Sequence, residues 1–131
     1  MKYLLDTNSC VFLMKNIASV VERYKACKES GIVISSITAA ELYYGVFNSE
    51  APNKNGVNLA KFLIGVGVLE FDSAAAMEYG RIRSILRKRG KPIGPMDMLI
   101  VAHAKSKGLV IVTDNTREFE RVDGLEIENW L

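Results

Sequence analysis

Twice in this chain a short apolar run stops at an aspartate. Tyr3-Leu4-Leu5 ends at Asp6 and is followed by the turn formers Thr7, Asn8 and Ser9; Leu109 to Thr113, the most β-branched run present, ends at Asp114 and Asn115. Runs this short, bounded by turn residues, read as buried strands rather than helices. A strand that is apolar along its whole length is covered on both faces, as in a parallel sheet. Stretches at helical spacing separate the strand-like runs. The pattern therefore predicts a three-layer α/β/α sandwich with a mainly parallel central sheet of four to five strands. In such sheets the carboxyl ends of the strands face the ligand crevice, which is where Asp6 and Asp114 are expected.

Local signals place the other elements. A helix is expected over 7–16, capped by Thr7, Asn8 or Ser9, and a second over 17–28, where Val20, Val21, Tyr24 and Cys27 recur at helical spacing. Gly31 ends it, Ile32 to Ser35 is a second strand, and Ser36 or Thr38 caps a helix to Asn48. That helix is apolar nearly all round, which predicts burial on more than one side. Residues 49–58, with Pro52, Lys54, Gly56 and several Asn, read as a surface loop before a short helix over 59–66. Val68 to Phe71 is a third strand, and Asp72 or Ser73 opens a helix to Arg89 with a core stripe of Ala75, Tyr79, Ile82 and Leu86. Arg81, Arg83, Arg87, Lys88 and Arg89 fill the rest of it, as a solvated face or as phosphate contacts. Gly90, Pro92, Gly94 and Pro95 make a rigid connector to a helix from Asp97 to Lys107, which Gly108 terminates. After a polar turn containing Phe119, residues 125–131 are expected as an edge strand covered by Trp130.

A length of 131 residues fits one domain, 1–131. The net charge of +2 permits nucleic-acid binding without arguing for it, since a local basic patch is what matters. Cys10 and Cys27 show no CxxC pairing and suit a reducing cytosol. The amino terminus lacks the apolar core of a signal peptide, and the longest apolar run, Met98 to Ala102, is far short of a membrane span. The protein is therefore expected in the cytoplasm.

Two further acids stand in apolar surroundings. Glu41 is the only charge on its helix before Glu50, and an ionised carboxylate there requires a cation or strong donors. Asp97 follows the rigid connector. Singly, each acid has a structural explanation: Asp97 as an N-cap, Asp6 and Asp114 as turn residues. Brought together, four carboxylates repel unless a counterion joins them. The ligands would all be oxygens, with no His or Cys pair at metal spacing, which favours Mg²⁺ or Mn²⁺ over zinc and makes phosphodiester hydrolysis the natural chemistry. No GxGxxG, GxxxxGK[ST] or GxSxG motif is present, and His103, the only histidine, lies among apolar neighbours and reads as packing or surface.

The segments Leu4-Leu5-Asp6-Thr7-Asn8, Ser35-Ser36-Ile37-Thr38-Ala39-Ala40-Glu41-Leu42, Pro92-Ile93-Gly94-Pro95-Met96-Asp97 and Val112-Thr113-Asp114-Asn115-Thr116-Arg117-Glu118-Phe119 resemble the motifs of PIN-domain nucleases. Within them the chain is most similar to the VapC-type toxins of type II toxin–antitoxin systems, and the likeness runs on to Glu128-Asn129-Trp130. The resemblance implies a PIN-like fold and a Mg²⁺- or Mn²⁺-dependent endoribonuclease, with Asp6, Glu41, Asp97 and Asp114 as catalytic and metal-holding acids. It also implies a structured RNA such as tRNA as substrate, a homodimer, and a cognate VapB-like antitoxin that blocks the site. Thr7, Asn8, Ser36, Thr113, Asn115 and Arg117 are expected to orient the acids or touch phosphate. Tyr43, Tyr44, Val46 and Phe47 are expected either at antitoxin or dimer contacts or in the core. The chain departs from many relatives at Met96, where they carry Asn, and at Asp114-Asn115, where they carry Asn-Asn, so either Asp114 or Asn115 can complete a metal shell. Two other readings stay open: a PIN-type RNA-processing nuclease without an antitoxin, and a metal-free RNA- or protein-binding module in which the acids are caps and turns.

Overall fold

The two apolar runs that end in aspartate lie side by side at the centre of the sheet. The computed structural model describes all 131 residues. In chain order it comprises β1 (Tyr3–Leu5), α1 (Thr7–Met14), α2 (Ala18–Cys27), a 3-10 turn (Lys28–Ser30), β2 (Ile32–Ser35), α3 (Ser36–Phe47) and α4 (Pro52–Val66). It continues through β3 (Val68–Leu69), α5 (Ser73–Lys88), α6 (Pro95–Lys107), β4 (Val110–Val112), α7 (Thr116–Phe119) and β5 (Ile127–Glu128). The strand order is β3-β2-β1-β4-β5, and every pairing is parallel. Leu5 is in register with Val112, so Asp6 and Thr113 leave the sheet together, tied by the Asp6 N–H to the Val112 carbonyl at 2.9 Å.

Strand side chains alternate between faces, and here both faces are dry. Tyr3, Leu5, Ile32, Ile34, Val110 and Val112 pack into one core, under α1 to α4. Leu4 and Ile111 point the other way, into a second core with Ile82 and Leu86 of α5 and with Ile100, Val101 and Ala104 of α6. The sheet is thus the middle of three layers, as expected. From β1 the chain steps outward to β2 and β3, then returns to place β4 on the opposite side of β1. Right-handed crossovers in opposite directions put their helices on opposite faces. The reversal opens a crevice beyond the carboxyl ends of β1 and β4.

Several local expectations are corrected. The segment read as a loop over 49–58 is mostly the first half of α4. Pro52 sits in the opening turn, where its missing N–H is no loss, and the Asn and Lys residues form an exposed face. Leu59, Phe62, Leu63 and Val66 supply the packing stripe. Helix α3 is less buried than its composition predicts: Tyr43, Tyr44 and Phe47 are 47%, 70% and 78% exposed. Two caps lie one or more residues earlier than expected. Asp6 accepts the Ser9 N–H at 2.8 Å and caps α1, while Ser35 accepts the Ile37 N–H at 3.1 Å and caps α3. Asp72 caps α5 as anticipated, by accepting from Ala75. The polar turn contains the one-turn helix α7, with Phe119 fully buried. The carboxyl-terminal segment contributes only the two-residue edge strand β5, and Trp130 packs edge-on against Tyr3 at 5.6 Å. No helix is long and apolar enough to cross a membrane.

Candidate active site

The crevice beyond β1 and β4 is lined by acids from separate elements. Asp6 is buried at the end of β1, held by the Ser9 N–H, with Thr113 beside it. Burial pushes its carboxyl above the ordinary value, against the pull of hydrogen bonds from Thr113 and Ser9, and the negative charge of Asp114 adds to the rise. Ser9 is itself anchored, donating from its hydroxyl to the Val112 carbonyl at 3.1 Å.

Glu41 reaches the crevice from the second turn of α3, half-buried, and finds its donor in the Thr7 hydroxyl at 2.6 Å. The Thr7 hydroxyl thus gives Glu41 one strong donor in its apolar setting. Asp97 is the third residue of α6; the cap position belongs to Gly94, so Asp97 caps nothing. Its carboxyl is pushed up to about 6, chiefly by burial, then by the negative charges of Glu118, Asp6, Glu41 and Asp114 in that order. That one carboxyl lies within electrostatic reach of all four others.

Asp114 follows β4, and its Oδ1 is buried with no hydrogen-bond partner. An unsatisfied buried carboxylate oxygen is costly, and in a cluster of like charges the partner that relieves it is a cation. Glu118 is the member that sequence reasoning missed. Its Oε1 accepts the Gly94 N–H and its Oε2 accepts from the Asn115 side chain, both at 2.7 Å. It clamps the start of α6 to α7 and carries the largest of the charges acting on Asp97.

The supporting residues divide. Thr7 and Thr113 adjoin the acids, and Asn115 links Thr113 Oγ1, through its N–H at 3.0 Å, to Glu118. Ser36 is engaged elsewhere, accepting the Phe71 N–H at 3.0 Å. Asn8 is exposed and Arg117 lies at the surface on α7; neither donates to an acid of the crevice. His103 is fully buried, with Nδ1 2.7 Å from the Ser35 hydroxyl and its ring edge-on to Phe71, consistent with packing.

The donor set suits a hard dication: all oxygens, clustered, partly orphaned. As they stand, no three of these side chains close on a common point for an ion. Thr7, Ser9, Gly94 and Asn115 hold three of the carboxylates by neutral donors instead. Next to Thr7 and Glu41 a cleft of about 750 Å³ opens between α1, α3 and α4, walled by Val11, Met14, Val46 and Phe62.

Comparison with known proteins gives concordant results. The PIN domain family matches residues 3–125 of this chain. The tRNA(fMet)-specific endonuclease VapC of Shigella flexneri is 47% identical over 131 residues, which span 99% of this chain and 98% of that protein. Ribonuclease VapC2 of Haemophilus influenzae is 41% identical over 132 residues, covering 100% of this chain and 99% of that protein. Among solved structures, DNA-bound VapBC from Salmonella typhimurium has a chain that superposes with a TM-score of 0.95 at 45% identity, covering 100% of this chain and 99% of that one. VapBC2 from Rickettsia felis, bound to a DNA fragment from its promoter, gives 0.95 at 35% identity with 100% coverage of both chains.

Proposed function

We propose, from the premise that this chain belongs to the PIN-domain family alongside the VapC ribonucleases, that it is the toxin of a type II toxin–antitoxin pair. Its activity is divalent-metal-dependent endonucleolytic hydrolysis of RNA. The observation that carries this reading is the gathering of Asp6, Glu41, Asp97 and Asp114 beyond β1 and β4, where burial first, then the charge of Glu118, then those of Asp6, Glu41 and Asp114 push the Asp97 carboxyl up to about 6. Folding gains nothing from that crowding, whereas hydrolysis of a phosphodiester uses it.

Asp6, Glu41 and Asp97 would hold Mg²⁺ or Mn²⁺, with Asp114 or Asn115 completing the set. Such an ion, when bound, lowers the pKa of a coordinated water and offsets charge on the scissile phosphate. The chain's own residues supply position. Ser9 fixes Asp6, Thr7 fixes Glu41, and Glu118, clamped by Gly94 and Asn115, sets the approach of α6 and with it Asp97. Burial and like charge make Asp97 a better proton acceptor than an ordinary carboxylate. Attack of water on phosphorus with the 3′ oxygen as leaving group breaks the P–O3′ bond and leaves 5′-phosphate and 3′-hydroxyl ends.

The substrate we propose is a tRNA, with initiator tRNA first to be tried because relatives at 47% and 44% identity carry the name tRNA(fMet)-specific endonuclease. The VapBC complexes among the structural neighbours support a cognate VapB-like antitoxin as partner. The cleft beside Glu41 offers such a partner an apolar seat next to the acids. The exposed Tyr43, Tyr44 and Phe47 supply apolar surface for the antitoxin or for a second copy in a homodimer. The cytoplasm, where tRNA resides, is the proposed location.

The test is to express the chain with and without its neighbouring gene and to map RNA ends. New 5′-phosphate ends in one tRNA, lost with Asp6→Asn and suppressed by the neighbouring gene product, are the expected result. Unchanged ends, or full cleavage by Asp6→Asn, refute the reading.

A further inference from the structure

The arginines of α5 and its C-cap, Arg89, divide into two groups. Arg81 pairs with Glu78, and Arg89 pairs with Asp123 at 2.7 Å. Arg83 and Arg87 are exposed and have no carboxylate partner. Arg83 instead donates to the Tyr79 hydroxyl at 3.1 Å, with its guanidinium 6.0 Å from the centre of that ring. Both unpaired arginines border a cavity of about 330 Å³ whose floor is the buried side chains of Leu86, Ile93 and Met98.

This cavity and the acidic crevice share the first turn of α6. The rim of the cavity includes Pro95, the first residue of α6, while Asp97 lies two residues on. Residues two apart do not share a helix face, so the cavity and the acids occupy opposite flanks of one helical turn. A strand laid across that turn reaches both. The ligand chemistry follows from the lining. Two free guanidiniums call for an anion, and the apolar floor calls for a flat, poorly hydrated body beside it. A phosphate ion uses only the first feature and an apolar side chain only the second; a nucleotide uses both.

On the ribonuclease reading above, we propose that the cavity between α5 and the start of α6 is a nucleotide subsite of the RNA substrate. Arg83 and Arg87 neutralise a phosphate flanking the scissile one, and the Tyr79 ring with the floor of Leu86, Ile93 and Met98 receives a base. The subsite binds and positions; the acids carry out the hydrolysis.

The test compares the unaltered chain, Arg83→Gln/Arg87→Gln and Tyr79→Ala on an initiator tRNA transcript in magnesium, with Lys25→Gln/Lys28→Gln, on the opposite layer, as the charge-matched control. Single-strand phosphate contacts each add roughly 0.7 to the salt slope of log K. The arginine pair, which neutralises one phosphate, should therefore lower the slope by about 0.7 and raise KM about tenfold, with kcat nearly unchanged. Tyr79→Ala should weaken binding at least about fivefold through lost stacking. Cleavage by the unaltered chain together with an unaltered slope and KM in the arginine variant refutes the subsite alone. No cleavage of RNA by the unaltered chain refutes the ribonuclease reading, and the subsite with it. Arginine variants whose mass by light scattering differs from the unaltered chain assign this face to contact between copies and overturn the proposal.

Discussion

Replacing Asp97 by Asn should stabilise the metal-free protein at neutral pH. The Asp97 carboxyl rises from 3.8 to about 6 on folding, and a shift of one unit corresponds to about 1.36 kcal/mol. The full shift is then worth about 3 kcal/mol, but the group is only half-buried and solvent screening removes roughly half, leaving about 1–2 kcal/mol. The sign follows from proton binding. A carboxyl whose folded value is raised holds its proton more tightly in the native state. Its contribution to stability is complete below 3.8 and is lost as pH rises through about 6. At about pH 7.5 the metal-free chain has lost all of it, whereas the uncharged amide of the variant has nothing to lose. Denaturant unfolding in excess chelator should give Asp97→Asn a higher midpoint at about pH 7.5, by an amount equal to about 1–2 kcal/mol, and a smaller gain at about pH 5. Adding Mn²⁺ should stabilise the unaltered chain more than the variant, because the ion relieves the same repulsion that the substitution removes. A variant no more stable than the parent at about pH 7.5 in chelator, or a gain independent of pH, would refute the claim that burial and like charge raise this carboxyl.

Three other perturbations separate folding from chemistry. Asp6→Asn should leave stability within about 0.5 kcal/mol, because Asn caps helices as well as Asp. It should still reduce RNA cleavage by roughly a hundredfold or more, since even outer partners of a metal ligand cost about 10–100-fold when lost; unfolding curves and initial rates measured side by side decide it. Glu118→Gln keeps the Gly94 clamp while removing the largest charge acting on Asp97, so the Asp97 carboxyl followed by NMR titration should fall toward 3.8. His103 is held below its ordinary 6.5, first by burial and then by Lys107, with Asp72 opposing. A base with a depressed folded value contributes stability above 6.5 that is lost as pH falls below it. His103→Gln should therefore lose less stability than the parent between about pH 7.5 and pH 5.5, as read by paired thermal melts.

The sequence made the strands legible because a parallel sheet buried on both faces leaves no polar residue to blur the run, so Tyr3–Leu5 and Val110–Val112 stand out unaided. Helix α4 was obscured for the converse reason. Its first turns present Asn53, Lys54 and Asn58 to solvent, which locally looks like a loop, and the stripe of Leu59, Phe62 and Val66 that holds it emerges only across the whole element. Glu118 could not be found from sequence, because its partner Gly94 lies 24 residues away and its own helix is a single turn. The caps carry the larger lesson. Where a strand passes straight into a helix, the last strand-side residue serves the helix N-terminus, so Asp6 both ends β1 and caps α1. The capping role of Asp6 and the functional one proposed for it thus do not compete. The other three acids have no such occupation. Asp97 caps nothing, Asp114 keeps a buried oxygen unpaired, and Glu41 sits within a helix whose caps are supplied elsewhere. Their placement in one crevice raises the free energy of the native state and goes unexplained by folding, so the acids least needed for the fold are among those proposed to hold the metal.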